Sequence, residues 1–443
     1  MLAFVASLLM AGLALELPGE AGLYVCALGH AVLGVWVFLT HGGRHITATG
    51  VYFLSAAVFG GVGTAYAAML GEFVDVELAI QLLAYVLVAH GAIQLAVAYR
   101  AALRRAAQDE GEQVAGTTTA FVLGWVLLAS GLIVGERLGP IGGAAAYDGV
   151  LLLGAAVLWS PNLGTVLGRG AAWLMVGGAT LLFLAVAFHG HGRLNAASLM
   201  LAFLIVGGGR AAWGRWWKVA VVAGVFPMLI VSGMSRLALR DSGDATAIEW
   251  GSGAAASAAN EGGGLGSLYS PVRDFVAIVK ADEYGRIQHF SRRYGGTFVD
   301  ALLAPVPRVL WPDKPEGLGR VLVHHLAPEV RHPGHSLAGT AWAEWFINFG
   351  WWGIVVMVPC TALALIVVDA MLARRTRGTP RTFEELIWAV AVAVLAAGMT
   401  DYFWVGTFTY HARAGIRVYV LIGIVLWLRA NQWLGLALRR SGS

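Results

Sequence analysis

Charge is scarce in this 443-residue chain: only 13% of its residues are Asp, Glu, Lys or Arg, about half the share a soluble globular protein carries. With 58% apolar residues and a mean hydropathy of +0.70, that shortage excludes an ordinary soluble domain. It also excludes disorder, because a chain this apolar does not stay solvated. Cysteine is scarcer still. The only two, Cys26 and Cys360, lie inside apolar runs, so no disulfide framework is expected and the redox compartment is not legible. Lysine is nearly missing: of the 30 basic residues only Lys218, Lys280 and Lys314 are lysines, the rest arginines. An Ala/Gly/Val/Arg-rich, lysine-poor composition is what GC-rich coding produces, so the pI of about 9.1 is no argument for a nucleic-acid partner. No basic segment precedes the first apolar run, and Met1–Leu15 reads as a first span or half-span rather than a cleavable signal.

What is present in quantity is apolar runs. They fall at roughly 2–16, 21–40, 48–70, 77–99, 117–135, 147–159, 171–188, 194–209, 219–235, 341–368, 386–401 and 413–428. A helix needs about 20 apolar residues to cross a bilayer, so twelve spans use roughly 240 residues and leave about 200 for connections. The first and sixth windows are short. Each spanning segment must satisfy its own backbone hydrogen bonds, which makes the expected fold an all-α polytopic membrane helix bundle of about 12 transmembrane helices. The 59 glycines suit close helix–helix approach in lipid.

Positive charge sets the expected orientation. Alternate connections carry Arg44; Arg100, Arg104 and Arg105; Arg169; Arg210, Arg215 and Lys218; Arg374, Arg375, Arg377 and Arg381; and Arg439 with Arg440. These belong on the cytoplasmic side, with both termini. The opposite short loops hold only Arg137, Arg193, Arg413 and Arg417. The expected organisation is transmembrane helices 1–9 in residues 1–235, a large outer loop in 236–340, and helices 10–12 with a cytoplasmic tail in 341–443. Within the loop, 241–267 is a Gly/Ala/Ser-rich flexible tether and 269–340 a small folded cap. Ser270-Pro271 reads as an N-cap and N1 pair opening a helix through about Lys280, and Phe298–Leu303 as a short helix stopped by Pro305 and Pro307.

The outer face is richer in guanidinium than orientation alone would place there. The loop holds Arg273, Arg286, Arg292, Arg293, Arg308, Lys314, Arg320 and Arg331, and Arg193 and Arg236 stand at span ends on the same side. An anionic ligand would account for the surplus, since Arg grips phosphate in planar bidentate contacts and stays charged when partly desolvated. The plain alternatives stay open: Arg292 and Arg293 read as solvated loop charges, and Arg193 and Arg236 stand where snorkelling is common. The histidines His189, His191, His324, His325, His332 and His335 show no metal-ligand spacing, so no metal and no cofactor is expected. His335 precedes the tenth window, where a base facing an outer cleft would stand. Glu344, within the first turns of that window, is either paired structurally with an arginine or a general base of raised pKa.

Between Gly295 and Gly353 runs GGTFVDALLAPVPRVLWPDKPEG, followed by SLAGTAWAEWFINFGWWG. This resembles the outer-loop signature of bacterial O-antigen polymerases, the Wzy-type oligosaccharide repeat-unit polymerases: G-T-[aromatic], then P-R-x-[apolar]-W-P-x-K-P, then T-x-x-x-E-[aromatic]-x-N-F-G-x-x-G. Gly296, Thr297, Phe298, Pro307, Arg308, Trp311, Pro312, Lys314 and Pro315 fill the first half; Thr340, Glu344, Asn348, Phe349, Gly350 and Gly353 fill the second. Phe298 stands where Tyr is commoner, and the low-complexity insert Asp241–Ser267 is unusual. The strong resemblance covers about 60 residues, and topology extends it weakly to the whole chain.

The resemblance implies a glycosyltransferase of the bacterial plasma membrane that uses no nucleotide sugar. Donor and acceptor would both be oligosaccharides on polyprenyl pyrophosphate, of the undecaprenyl kind, joined at the outer face with lipid pyrophosphate leaving. It allows for a chain-length regulator as a protein partner. On it Arg193, Arg236 and Arg273 fall to the pyrophosphate with Arg308 and Lys314 behind them, Glu344 to the base with His335 as runner-up, and Trp311 and Tyr402 to sugar contacts. Trp342 and Trp345 read as sugar platforms or as membrane-interface anchors. An O-antigen ligase shares the architecture and leaving group. A transporter is the rival from another class, and it would show mid-membrane charges and two related halves, neither of which is evident.

Overall fold

The computed structural model describes residues 1–43, 45–102, 117–138, 140–160, 166–187, 193–208, 216–224, 266–283, 294–306, 310–326, 337–376, 380 and 382–441. Among them every regular element is helical and there is no strand. In chain order the helices are α1 (Leu2–Glu16), α2 (Glu20–Thr40), α3 (Ala48–Leu70), α4 (Val76–Ala102), α5 (Thr117–Leu138), α6 (Pro140–Trp159), α7 (Val166–Ala187), α8 (Arg193–Gly208) and α9 (216–224). After these come α10 (Gly266–Glu283), α11 (Gly296–Leu303), α12 (Leu318–Leu326), α13 (Ala341–Phe349), α14 (Trp351–Thr376), α15 (Phe383–Val405) and α16, which starts at Thr407 and runs to Ser441.

Seven stretches among the described residues are long and apolar enough to cross a membrane: α2, α3, Val76–Arg100 of α4, α6, Trp351–Arg374 of α14, α15, and Thr407–Asn431 of α16. Leu2–Glu16, Thr117–Ile133, Gly170–Val186 and Ala196–Gly207 are shorter apolar helices. The chain therefore has the make-up of a multi-pass membrane protein. Small residues let its helices approach closely. A side chain at Gly131 would strike the backbone of Ala146, and one at Gly149 the backbone of Leu128, so α5 and α6 meet backbone to backbone.

Three expectations from the sequence are corrected. The apolar window 341–368 is not one helix. Gly350 adopts φ 62° and ψ −146°, a conformation that L side chains rarely adopt, and this splits off the short α13 before the long α14 begins at Trp351. The window at 147–159 is not short, because α6 starts at Pro140, whose missing N–H costs nothing at a first helical position. Pro271 is not at N1: α10 starts a turn earlier, at Gly266, and carries the proline inside. The short helix expected at Phe298–Leu303 is present as α11. The tether read at 241–267 lies outside the described residues except for its last two.

Polar side chains mark the two ends of the bundle. At one end Asp369 of α14 accepts the Ala48 N–H and the Thr49 hydroxyl, each at 2.6 Å, fixing the start of α3. Beside it the fully buried Lys218 donates to the backbone oxygens of Phe38 (3.0 Å) and His41 (2.8 Å), satisfying carbonyls that the end of α2 leaves open. At the other end α10 lies against the α3–α4 turn. Tyr269 packs on Tyr66 with ring centroids 5.9 Å apart, Arg273 pairs with Glu72 at 3.4 Å and Lys280 with Asp75 at 2.6 Å. Asp75 also accepts the Leu78 N–H, and that bond, with the Lys280 ammonium, holds its carboxyl below the usual carboxylate range.

This docking is testable by charge exchange. Asp75→Lys and Lys280→Asp each place like charges together and are expected to lower the unfolding midpoint, by an amount set by about 1 kcal/mol or less for a partly exposed pair. The double exchange recovers the ion pair but not the Asp75 cap of α4, so thermal unfolding of the purified protein should show partial restoration.

Candidate functional site around the Gly406 turn

The end of the bundle that carries α10 also gathers α11, α13 and the turn between α15 and α16. That turn is Gly406, at φ 99°. α13 is opened by Thr340, whose hydroxyl accepts the Ala343 N–H at 3.3 Å, and one turn later it presents Glu344. The fully buried Glu344 carboxylate takes the Thr407 N–H through Oε2, so it caps the N-terminus of α16, where unpaired N–H groups and the helix dipole favour an anion. A Cβ on Gly406 would land on this carboxylate, which makes glycine the residue the contact requires. The other oxygen, Oε1, is buried with no hydrogen-bond partner. Burial pushes the Glu344 carboxyl up from an ordinary value of 4.5 to about 7, while the Thr407 N–H and hydroxyl, the Thr297 hydroxyl and the Phe408 N–H restrain the rise. The partner of Glu344 is thus a helix terminus, not an arginine.

One turn further along α13, Asn348 joins the two halves of the Gly295–Gly353 motif. Its Nδ2 donates to the Thr297 hydroxyl (2.6 Å) and to the Glu344 backbone oxygen (2.8 Å), and its Oδ1 accepts the Gly295 N–H (3.1 Å). Thr297, Glu344 and Asn348 are all buried. Phe298 packs on Trp345 and Phe349 with centroids 4.9 and 6.1 Å apart. Gly353 lies directly beneath the Trp345 carbonyl, where a side chain has no room. Residues some 50 positions apart in sequence therefore form one packed, hydrogen-bonded unit around the carboxylate.

Next to this unit is a group of buried and half-buried ionisable side chains. The α16 helix passes through a π segment, His411–Gly415, which carries Arg413; its guanidinium meets the buried Asp401 of α15 at 2.5 Å. One turn on, buried Arg417 lies over the Tyr147 ring, 3.5 Å from the centroid. Tyr147 shares a hydrogen bond with Ser198 at 3.1 Å. Its neighbour Asp148 is fully buried within the field of Arg417, and neither carboxylate oxygen has a hydrogen-bond partner. Asp148, Asp401 and Arg417, from α6, α15 and α16, thus occupy the interior, with Arg413 half-buried at its edge; single charges there are costly and frequently functional. Among the described residues no group of three or more His, Cys, Asp or Glu is placed to hold a metal ion.

The residues expected from sequence are only partly brought together. Glu344 is central. Arg273 is committed to Glu72 and Asp274, the latter at 3.2 Å, and lies over the Tyr269 ring. Lys314 closes its own loop by donating to the backbone oxygens of Ala304 and Val306. Trp311 is half-buried, and its carbonyl accepts the Lys314 N–H in the same turn. Tyr402 is packed rather than displayed: its hydroxyl meets Thr361 at 2.9 Å and its ring lies 6.1 Å from Tyr410. Trp342 is buried against His90, not at an interface, and Trp345 is half-buried in the motif unit. Arg193 begins α8, with its side chain outside the described residues; His335, Arg236 and Arg308 lie outside them altogether. Asp148 and Asp401 were missed, although a lone carboxylate in an apolar window is itself a signal.

Comparison with known proteins finds no matching family, no similar curated protein and no similar solved structure.

Proposed function

We propose that this chain is a membrane glycosyltransferase that polymerises polyprenyl-pyrophosphate-linked oligosaccharide repeat units at the outer face of the bacterial plasma membrane. The observation that carries the reading is the motif unit: the two halves of the polymerase-like signature dock through Asn348 and Thr297 around the buried Glu344, beside the arginine pair of α16. On this reading the bundle has about twelve spans, the arginine-rich connections face the cytoplasm, and the Gly406 turn faces outward.

The chemistry asks for three things. A base takes the proton of the acceptor hydroxyl as its oxygen bonds the anomeric carbon. A cation meets the charge that builds as the carbon–oxygen bond to pyrophosphate breaks and its electron pair departs with the lipid pyrophosphate. A lipid-facing approach admits the polyprenyl chain. Glu344, with one oxygen unpaired and a carboxyl titrating at about 7, is the proton acceptor. Arg413, partly exposed on the π segment, is the leading cation. Arg193, Arg236 and Arg308 remain cation candidates, with Arg273 and Lys314 behind them because of their structural contacts. His335 remains the alternative base and Trp311 the leading sugar contact, with Tyr402 behind it because its hydroxyl is bonded to Thr361.

Purified lipid-linked repeat units, given to the reconstituted protein without any other acceptor, are expected to yield a ladder of longer oligosaccharides and free lipid pyrophosphate. Arg413→Met at matched membrane abundance should slow extension by about 10²–10³-fold, the worth of one charge-stabilising donor. A folded protein that leaves the repeat units unextended refutes the proposal. Transfer only when a lipid A core is supplied would make the chain a ligase, and movement of repeat units without bond formation would make it a transporter.

A further inference from the structure

Helix α11 carries apolar side chains on both its inner and its outer face, with the half-buried Asp300 on the flank between them. Its inner face, Thr297, Phe298 and Ala301, is accounted for by Asn348, by the Trp345 and Phe349 rings, and by burial. Its outer face carries Val299 and Leu302 at i, i+3 spacing, and Leu302 is 67% exposed. The chain on either side repeats the pattern: Tyr294 precedes the helix and Leu310 follows it, both strongly exposed. A surface helix in water turns polar residues outward, so an outward face that is apolar instead points to an apolar environment on that side.

The level at which α11 lies identifies that environment. α11 packs against Thr407–Tyr410, the first turn of the apolar helix α16. Through Phe298 it also packs on Phe349, the last residue of α13. Two positions later Trp351 and Trp352 open α14, and Trp352 is 76% exposed. Tryptophan at the first turn of an apolar helix marks the headgroup level of a bilayer. α11 thus lies where two membrane-crossing candidates begin, with Val299 and Leu302 exposed at that level.

We infer that α11, with Leu310, is an interfacial helix that seats Val299 and Leu302 in the headgroup–acyl boundary of the bilayer, so that this part of the outer segment lies in the lipid surface rather than above it. The partner is the bilayer itself, and the inference stands independently of the glycosyltransferase reading.

The test uses the full-length chain in phosphatidylcholine vesicles. Cys360 is replaced by serine, Cys26 stays because it is buried, and single cysteines at Val299, Leu302, Leu310 and the exposed Asp313 carry an environment-sensitive nitrobenzoxadiazole dye. An interfacial helix buries its apolar face about 5–10 Å into the boundary, so brominated phosphatidylcholine should dim the dye about two-fold at 299, 302 and 310, with iodide in the water having little effect. The dye at 313 should respond to iodide and not to the brominated lipid. Quenching of 299 and 302 by iodide alone would place the face in water and overturn the inference. Protection from both quenchers would assign it to a protein partner or a second copy of the chain, and would overturn it equally. All four labelled positions are exposed, so cysteine there leaves the core untouched.

Discussion

Replacing Glu344 by glutamine is expected to abolish most transfer while leaving the protein folded. Gln keeps an oxygen for the Thr407 N–H, so the cap on α16 survives, but it cannot take a proton. Loss of a general base costs typically about 10²–10⁴-fold in rate. The pH behaviour separates this from a structural fault. The folded-state pKa, about 7, lies above the ordinary value of 4.5, so between these values the folded protein holds a proton that the unfolded chain has released. The protonated carboxyl therefore contributes stability that is fully present below about 4.5 and is lost as pH rises through about 7. Transfer runs the other way, because only the ionised carboxylate accepts a proton, and it should climb over the same window and level off above it. In the Gln variant both trends flatten. Glu344→Ala is a different experiment: it leaves the Thr407 N–H without its acceptor and should cost about 1–3 kcal/mol of stability besides. Wild-type rates from Glu344→Gln with an unchanged alkaline rise would remove Glu344 from the chemistry and leave it only the cap.

That double use of Glu344 shows where the sequence is legible and where it is not. The apolar windows marked the helices because hydropathy reports the average cost of putting a segment in lipid, and helices are the backbone solution to that cost. The same average cannot see the break at Gly350. The run AWAEWFINFGWWGIVV is apolar on both sides of the glycine, and only its backbone conformation ends one helix and starts another. Motif spacing brought Thr297, Glu344 and Asn348 into one list without indicating that Asn348 bonds Thr297 or that Glu344 caps a helix some 60 residues later. Counting arginines by loop placed Arg413 and Arg417 among connecting residues, yet both belong to α16, where Arg413 meets the Asp401 carboxylate and buried Arg417 lies over the Tyr147 ring. Such pairings depend on which faces of distant helices meet, and local composition does not carry that information. Arg273 shows the converse: a charge read as a ligand for an anion already has Glu72 and Asp274 beside it.

Arg417→Met should be the most destabilising single change in the bundle. It removes a buried cation that lies on the Tyr147 ring and compensates Asp148, whose two oxygens have no hydrogen-bond partner of their own. Breaking a buried charge pair from one side costs about 3–5 kcal/mol, mainly because the remaining charge stays buried without compensation. If that is the cause, the penalty belongs to Asp148 rather than to Arg417. Asp148→Asn added to Arg417→Met should then restore most of the lost unfolding midpoint, whereas Asp401→Asn added to it should restore little, because Asp401 keeps its contact with Arg413. A simple packing role for the arginine stem predicts instead that neither second change helps, since methionine already fills much of the volume. Monodispersity in detergent and the thermal midpoint of the four variants decide between them. The double variant also separates stability from chemistry: a chain that is again stable but does not extend lipid-linked repeat units would show that the Arg417 charge is needed for transfer, and one that regains full activity would confine Arg417 to holding α6 against α16.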